Sequence, residues 1–183
     1  ILFDESEVRA TGRATSGVRG ITLKGEAYLL GMEISNGKGD LFVITEKGYG
    51  KRTPISEYPE HKRGGQGVFT ITMTAKKGAL AGMKVVGPQH EIMVVSEEGI
   101  VIRMKSGDVS RLGRSTQGVK VMNVADNDRV TAVARMSVKP KQAKKADTNQ
   151  TAFNLMEMEA SSEDESVDIG GDEQVLDLDS DDE

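Results

Sequence analysis

Gly12-Arg13-Ala14-Thr15-Ser16-Gly17-Val18-Arg19, Lys62-Arg63-Gly64-Gly65-Gln66-Gly67-Val68-Phe69 and Gly113-Arg114-Ser115-Thr116-Gln117-Gly118-Val119-Lys120 are three copies of one pattern, and they decide how the chain is read. In each copy an arginine stands four residues before a glycine, a valine follows, and the glycines Gly17, Gly67 and Gly118 fall 50 and then 51 residues apart. A fixed long period is the mark of a repeat architecture, whose units bury their apolar faces against their neighbours.

Working outward, the residue four beyond each repeat glycine is Ile21, Ile71 or Met122, and six beyond is Leu23, Met73 or Val124, with Thr22, Thr72 and Asn123 between them. Such period-two alternation predicts a half-buried strand. Leu41-Phe42-Val43-Ile44 before the turn Thr45-Glu46-Lys47-Gly48 recurs as Ile92-Met93-Val94-Val95 before Ser96-Glu97-Glu98-Gly99, 51 residues on. Lys51-Arg52-Thr53 and Val101-Ile102-Arg103 follow those turns, then Ser56-Glu57-Tyr58 and Gly107-Asp108-Val109. Asp4 to Val8 takes the same place in an earlier copy, so the chain opens partway through a repeat, and a third copy closes near Val130 to Met136.

Roughly four strands per fifty-residue unit is blade-like, and radial blades protect their edges. The expected fold is therefore all-β, a propeller-like array of blades of about four strands; a tandem β-array without central closure is the alternative. Too few units are present to close a ring alone, so further sequence is expected ahead of Ile1. Tyr28 is expected in a strand and in the core. The nine methionines, Met73, Met83, Met93, Met104 and Met122 among them, are expected to fill a core poor in aromatics.

Charge divides the chain. Residues 1–136 hold 20 Lys and Arg against 15 Asp and Glu, whereas residues 137–183 hold 4 against 14. A mildly basic body with an acidic end suggests nucleic acid and a mimic of it. The expected division is a β fragment of about three blades over 1–136, a linker with a short helix over 137–158, and a disordered acidic tail over 159–183. That tail either keeps the protein soluble or competes with phosphates for the basic body. With no cysteine, no disulfide or cysteine zinc site is available. No apolar run reaches the length of a membrane span, and no secretory signal opens the chain, so a reducing, soluble compartment is expected.

Arginine or lysine beside glycine in a tight turn suits a phosphate backbone. Glycines at 17, 64, 65, 67 and 118 let N–H groups approach an anion, and guanidinium forks onto phosphate oxygens. Arg13, Arg63 and Arg114 are the equivalent positions, with Arg19, Lys62, Arg111 and Lys120 nearby; Lys51, Arg52 and Arg103 form a second repeated cationic site. Glu7, Glu57 and Asp108 are available to pair with some of these arginines. No aromatic residues interleave with the basic ones, which disfavours a stacking platform for single strands. The chemistry available is contact with a duplex backbone, insensitive to sequence and dependent on salt.

These turns, with Glu46-Lys47-Gly48-Tyr49-Gly50-Lys51-Arg52-Thr53 and Glu57-Tyr58-Pro59 between them, resemble the carboxy-terminal domain of the bacterial DNA gyrase A subunit over Ile1 to Met136. The resemblance implies a β-pinwheel, usually of six blades, that wraps duplex DNA around its basic rim and so supports ATP-dependent negative supercoiling by a type II topoisomerase. It also implies, as partners in an A2B2 complex, B subunits together with the rest of the A subunit. No membrane is implied, and the place is cytoplasmic and nucleoid-associated. ATP and Mg are implied for the whole enzyme, and no cofactor for this part of it. The family's diagnostic box belongs to a first blade; His61-Lys62-Arg63-Gly64-Gly65-Gln66-Gly67 is a degenerate relative of it, and Leu2 stands where the later copies have Arg52 and Arg103. Alternatives are a β-propeller that binds proteins and the end domain of a topoisomerase IV A-type subunit.

No catalytic or metal residues are expected. His61 and His90 lack a third ligand at metal spacing, Glu97-Glu98 sits at a turn, and Tyr28, Tyr49 and Tyr58 lack the context of a topoisomerase nucleophile.

Overall fold

Two hairpins, one repeat apart, carry the fold. β1 (Asp40–Thr45) and β2 (Tyr49–Pro54) pair antiparallel, as the runs of β-branched residues and the glycine-ended turn predict. In the turn between them Gly48 has a φ of 77° and its N–H donates to Thr45 O at 2.9 Å, a three-residue loop closed by a left-handed glycine. The structure, a computed structural model, describes residues 1–137. Within them follow β3 (Leu80–Val86), β4 (His90–Ser96), β5 (Val101–Lys105), β6 (Val119–Lys120) and β7 (Val130–Ser137). Gly99, with a φ of 86°, closes the turn between β4 and β5 in the same way. The expected linker and acidic tail lie, Ser137 apart, outside the described residues.

The sheets do not follow the repeat boundaries. One has the order β3-β1-β2-β6, so the β1–β2 hairpin is flanked on one side by a strand of the next copy and on the other by a strand from further along. The other has the order β5-β4-β7, and β7 takes against β4 the place that β3 takes against β1. Both inner pairings carry a bulge at the same point, between Ile44 and Thr45 and between Val95 and Ser96. The blade-like sheets are thus completed by exchanged strands. The core joins them: Phe42, Ile44 and Val86 of the first meet Ile92, Val94 and Val130 of the second, with Val109 and Met122 from the connections. β3 packs beside β7, and Leu30–Glu33, the matching segment of the first copy, lines one pocket with them. This side is termed the inner edge, and the opposite side, with β2 and β6, the outer edge.

Three expectations are corrected. The alternation after each repeat glycine gives a strand only at Val119–Lys120. Ile71 and Met122 are buried as expected, but Leu23 and Met73 are exposed, because this segment crosses the outer edge of a neighbouring copy and does not lie in a sheet. Tyr28 is 67 % exposed and outside any strand. Met122 is the one described methionine that is fully buried; the aliphatic β-branched residues fill the core instead.

At the inner end of β4, His90 Nδ1 accepts the Gly87 N–H at 2.7 Å, and burial, with Arg135 nearby, lowers its pKa. Protonation removes that acceptor. Because the folded-state value lies below the unfolded one, the contribution is complete above about pH 6.5 and is lost as the pH falls through the folded value. Urea titrations at pH 7 and pH 5 should show a small loss of stability that His90→Gln lacks.

Candidate functional site

The outer edge of β2 presents a row of N–H and C=O groups, and the chain of the third copy covers it. The Arg52 N–H donates to Ser110 O at 3.0 Å, the Leu112 N–H to Arg52 O at 2.8 Å, and β6 pairs Val119 and Lys120 with Gly50 and Tyr49. The turn Gly113–Gly118 between these contacts therefore lies on β2. Lys51, completely buried, holds it from beneath: Nζ donates to Gly113 O at 2.6 Å, Arg114 O at 2.7 Å, Thr116 O at 3.2 Å and Thr116 Oγ1 at 3.1 Å. Burial draws the Lys51 pKa down to about 8, so the ammonium remains charged at neutral pH.

One copy earlier the same construction appears with Ile1–Phe3 in the place of β2. Leu2 pairs with Glu60, the His61 N–H donates to Leu2 O at 2.8 Å, and the turn glycine Gly67 sits against Ile1. The repeat glycines share one conformation, with φ of 73° at Gly17, 75° at Gly67 and 72° at Gly118.

The second and third turns are each stapled to the copy before by equivalent residues. Glu7 Oε2 accepts the Arg63 N–H at 2.7 Å, while the Arg63 side chain donates to Glu7 O at 3.1 Å and to Arg19 O. Glu57 Oε2 accepts the Arg114 N–H at 3.2 Å, and Arg114 Nη1 donates to Phe69 O at 3.2 Å. Thr22 Oγ1 donates to Gly64 O at 2.6 Å and Thr72 Oγ1 to Ser115 O at 2.7 Å, beside matching backbone bonds from Thr22 N–H to Gly65 O and from Thr72 N–H to Thr116 O. The three turns thus stand side by side along one outer edge. The Arg63 N–H, with Lys62 behind it, holds the Glu7 carboxyl below its usual range, and two of the three acids expected beside arginines, Glu7 and Glu57, are in place.

The cations fall into two groups. Arg13 and Arg19 are exposed and join no ion pair among the described residues; Lys62 is also exposed, with Nζ 3.4 Å from Glu7 Oε1. Lys120 is exposed too, and its Nζ donates to Lys47 O at 3.2 Å. Arg63 and Arg114 are half-buried and occupied by the staples. The second repeated cationic site does not form a surface. Lys51 is sealed under the turn, and Arg52 is largely buried, its Nη1 2.7 Å from Asp40 Oδ2; the cover on β2 accounts for both. Arg111, though exposed, shares Asp40 at 3.0 Å, and Arg103 pairs with Glu91.

Aromatic residues do stand among the basic ones, contrary to the expectation from sequence. The ammonium groups of Lys77 and Lys120 each lie 4.7 Å from the Tyr49 ring centroid, and the Arg114 guanidinium lies 5.9 Å from that of Tyr58, whose hydroxyl bonds Thr70. Phe69 stands on the outer edge. Sequence reasoning also missed Asp40, a buried acid at the start of β1 whose only sign was its place just before the apolar run Leu41–Ile44.

The chain matches the DNA gyrase C-terminal domain, beta-propeller, family over residues 1–36, 39–87 and 90–135. It belongs to that family. The DNA gyrase A protein of Staphylococcus epidermidis is 39% identical over 139 residues, which are 75% of this chain and 16% of that protein. The gyrase A protein of Klebsiella oxytoca is 38% identical over 137 residues, again 75% and 16%. Among solved structures, a gyrase A C-terminal domain superposes with a TM-score of 0.65 at 30% identity, over 73% of this chain and 46% of that one. A C-terminal domain of DNA topoisomerase IV gives 0.70 at 26%, over 85% and 47%. This gyrase-family chain spans about a sixth of the curated relatives and just under half of the solved domains.

Proposed function

We propose that the outer turns bind duplex DNA along its phosphate backbone without sequence specificity, as part of the wrapping rim of a gyrase-type topoisomerase. The observation that carries this reading is three turns in a row with one glycine conformation, the later two stapled to the copy before, with Arg13, Arg19 and Lys62 exposed on them. Bending a duplex through a smooth half-turn over some forty base pairs costs on the order of 10 kcal/mol, so contacts must be spread along a fixed edge to offset it. In this reading the chain acts with B subunits and the remainder of its own A subunit in an A2B2 enzyme of the cytoplasm, where ATP and Mg serve other domains. The topoisomerase IV reading keeps a place because of the TM-score of 0.70.

A titration of duplex DNA at low salt tests the proposal directly. With about four to six phosphate contacts, log affinity should fall against log salt with a slope of roughly −4 to −5. Arg13→Ala with Arg19→Ala should flatten that slope by about two units and weaken binding equally for all sequences, without changing the melting temperature. Absence of duplex binding at low salt rejects the proposal and favours a propeller that binds proteins.

A further inference from the structure

At the second position after the repeat glycine, the three copies have Arg19, Phe69 and Lys120. Two copies thus present a cation there, and the middle copy presents a phenylalanine that is 89 % exposed. Single exposed apolar side chains are ordinary on protein surfaces, but this one is held rather than loose. Its carbonyl accepts from Arg114 Nη1 at 3.2 Å, the next residue, Thr70, is bonded to the Tyr58 hydroxyl, and Ile71 beyond it is buried. The chain before it is fixed as well, since Gly67 packs on Ile1 and Arg63 is tied to Glu7 and Arg19. Phe69 is therefore an exposed aromatic ring on a fixed stretch of main chain, between two cationic turns.

We propose that Phe69 is an apolar wedge that enters a base step of the bound duplex. The inference rests on the rim reading above and deepens it. Proteins that bend DNA insert Phe, Leu or Ile between base pairs, partly unstack them and concentrate the bend in a kink. A rim of charges alone must curve the duplex smoothly, whereas a wedge flanked by phosphate contacts on both sides uses the softest step available. Pyrimidine–purine steps are the most easily opened, so an otherwise sequence-blind surface acquires a local preference for TA and CA steps where Phe69 lies. The cations at the equivalent positions in the adjacent copies leave the duplex stacked on either side.

The test uses the full chain and a set of duplexes that carry 2-aminopurine beside a TA step, moved one base pair at a time through a helical turn. Binding is followed separately by anisotropy of an end label. At saturation at least one probe position should brighten by about twofold or more, the sign of unstacking. Phe69→Ala should abolish the brightening and weaken binding by about tenfold with the salt slope unchanged. Phe69→Lys, which copies Lys120, should also stay dark while steepening the slope by about one unit. Equal brightening in Phe69→Ala, or none in the wild type despite full binding, overturns the wedge and leaves the rim standing. No anisotropy change in any protein overturns both.

Discussion

Alanine at Gly48 is expected to destabilise the fold by about 3–5 kcal/mol, while alanine at Gly99, one repeat further on, should cost about 1–2 kcal/mol. Both glycines end the same turn with left-handed φ, of 77° and 86°, so the conformational penalty is shared. What differs is the cover. A Cβ at Gly48 would stand 2.1 Å from Met122 O and 3.0 Å from its carbonyl carbon, and main chain of the third copy must move to admit it. A Cβ at Gly99 would meet nothing within 4 Å among the described residues. Urea unfolding of both variants measures the difference. Equal losses would show that residues 118–124 do not lie on the β1–β2 hairpin in solution.

The second large effect is expected at Lys51. Lys51→Met keeps most of the volume of the side chain but leaves the Arg114 carbonyl without a donor beneath the turn and takes the charged donor from the carbonyls of Gly113 and Thr116, which keep bonds from Thr116 and from the Thr72 N–H. The unpaired acceptor costs about 1–3 kcal/mol, the two weakened ones add to that, and water entering at the rim recovers part, so a net loss of about 2 kcal/mol is expected. The turn itself should loosen: hydrogen exchange of the Gly113–Gly118 N–H groups should quicken more than that of β1. DNA affinity should fall with stability, in contrast to Arg13→Ala with Arg19→Ala, where it falls alone. Ile102 holds the equivalent place in β5, yet Lys51→Ile should fail like Lys51→Met, because it is the carbonyls above that require an ammonium. A variant as stable as the wild type, with unchanged exchange at the turn, would remove Lys51 from this role.

Much of the fold was legible because its signals are local. The glycine-ended turns at Gly48 and Gly99 and the β-branched runs beside them write the hairpins into adjacent residues. What lies outside any short window was lost. Nothing near Thr22 or Thr72 announces a bond to a turn more than forty residues ahead, so the segments around them read as strands when they are straps. The site was half legible for the same reason. Periodicity located Arg13, Arg63 and Arg114 on equivalent turns, but a period cannot separate a side chain kept for a ligand from one kept for the next repeat. Arg63 and Arg114 recur because each staples one copy to another, whereas Arg13 and Arg19 are exposed and join no ion pair among the described residues. Lys51 looked like its neighbour Arg52 in sequence; which face of β2 is roofed depends on chain made 60 residues later.

That delay has a consequence for how the protein is born. The β1–β2 hairpin is complete in sequence at Pro54, yet the strands that flank it end at Val86 and Lys120. At the ~5–20 residues per second of synthesis, a ribosome needs several seconds to deliver the last of them. Throughout that interval the nascent polypeptide trails one unfinished margin, handed from each unit to its successor, and a pause in translation between Pro54 and Val119 prolongs the time in which it is open to chaperones or to the wrong neighbour.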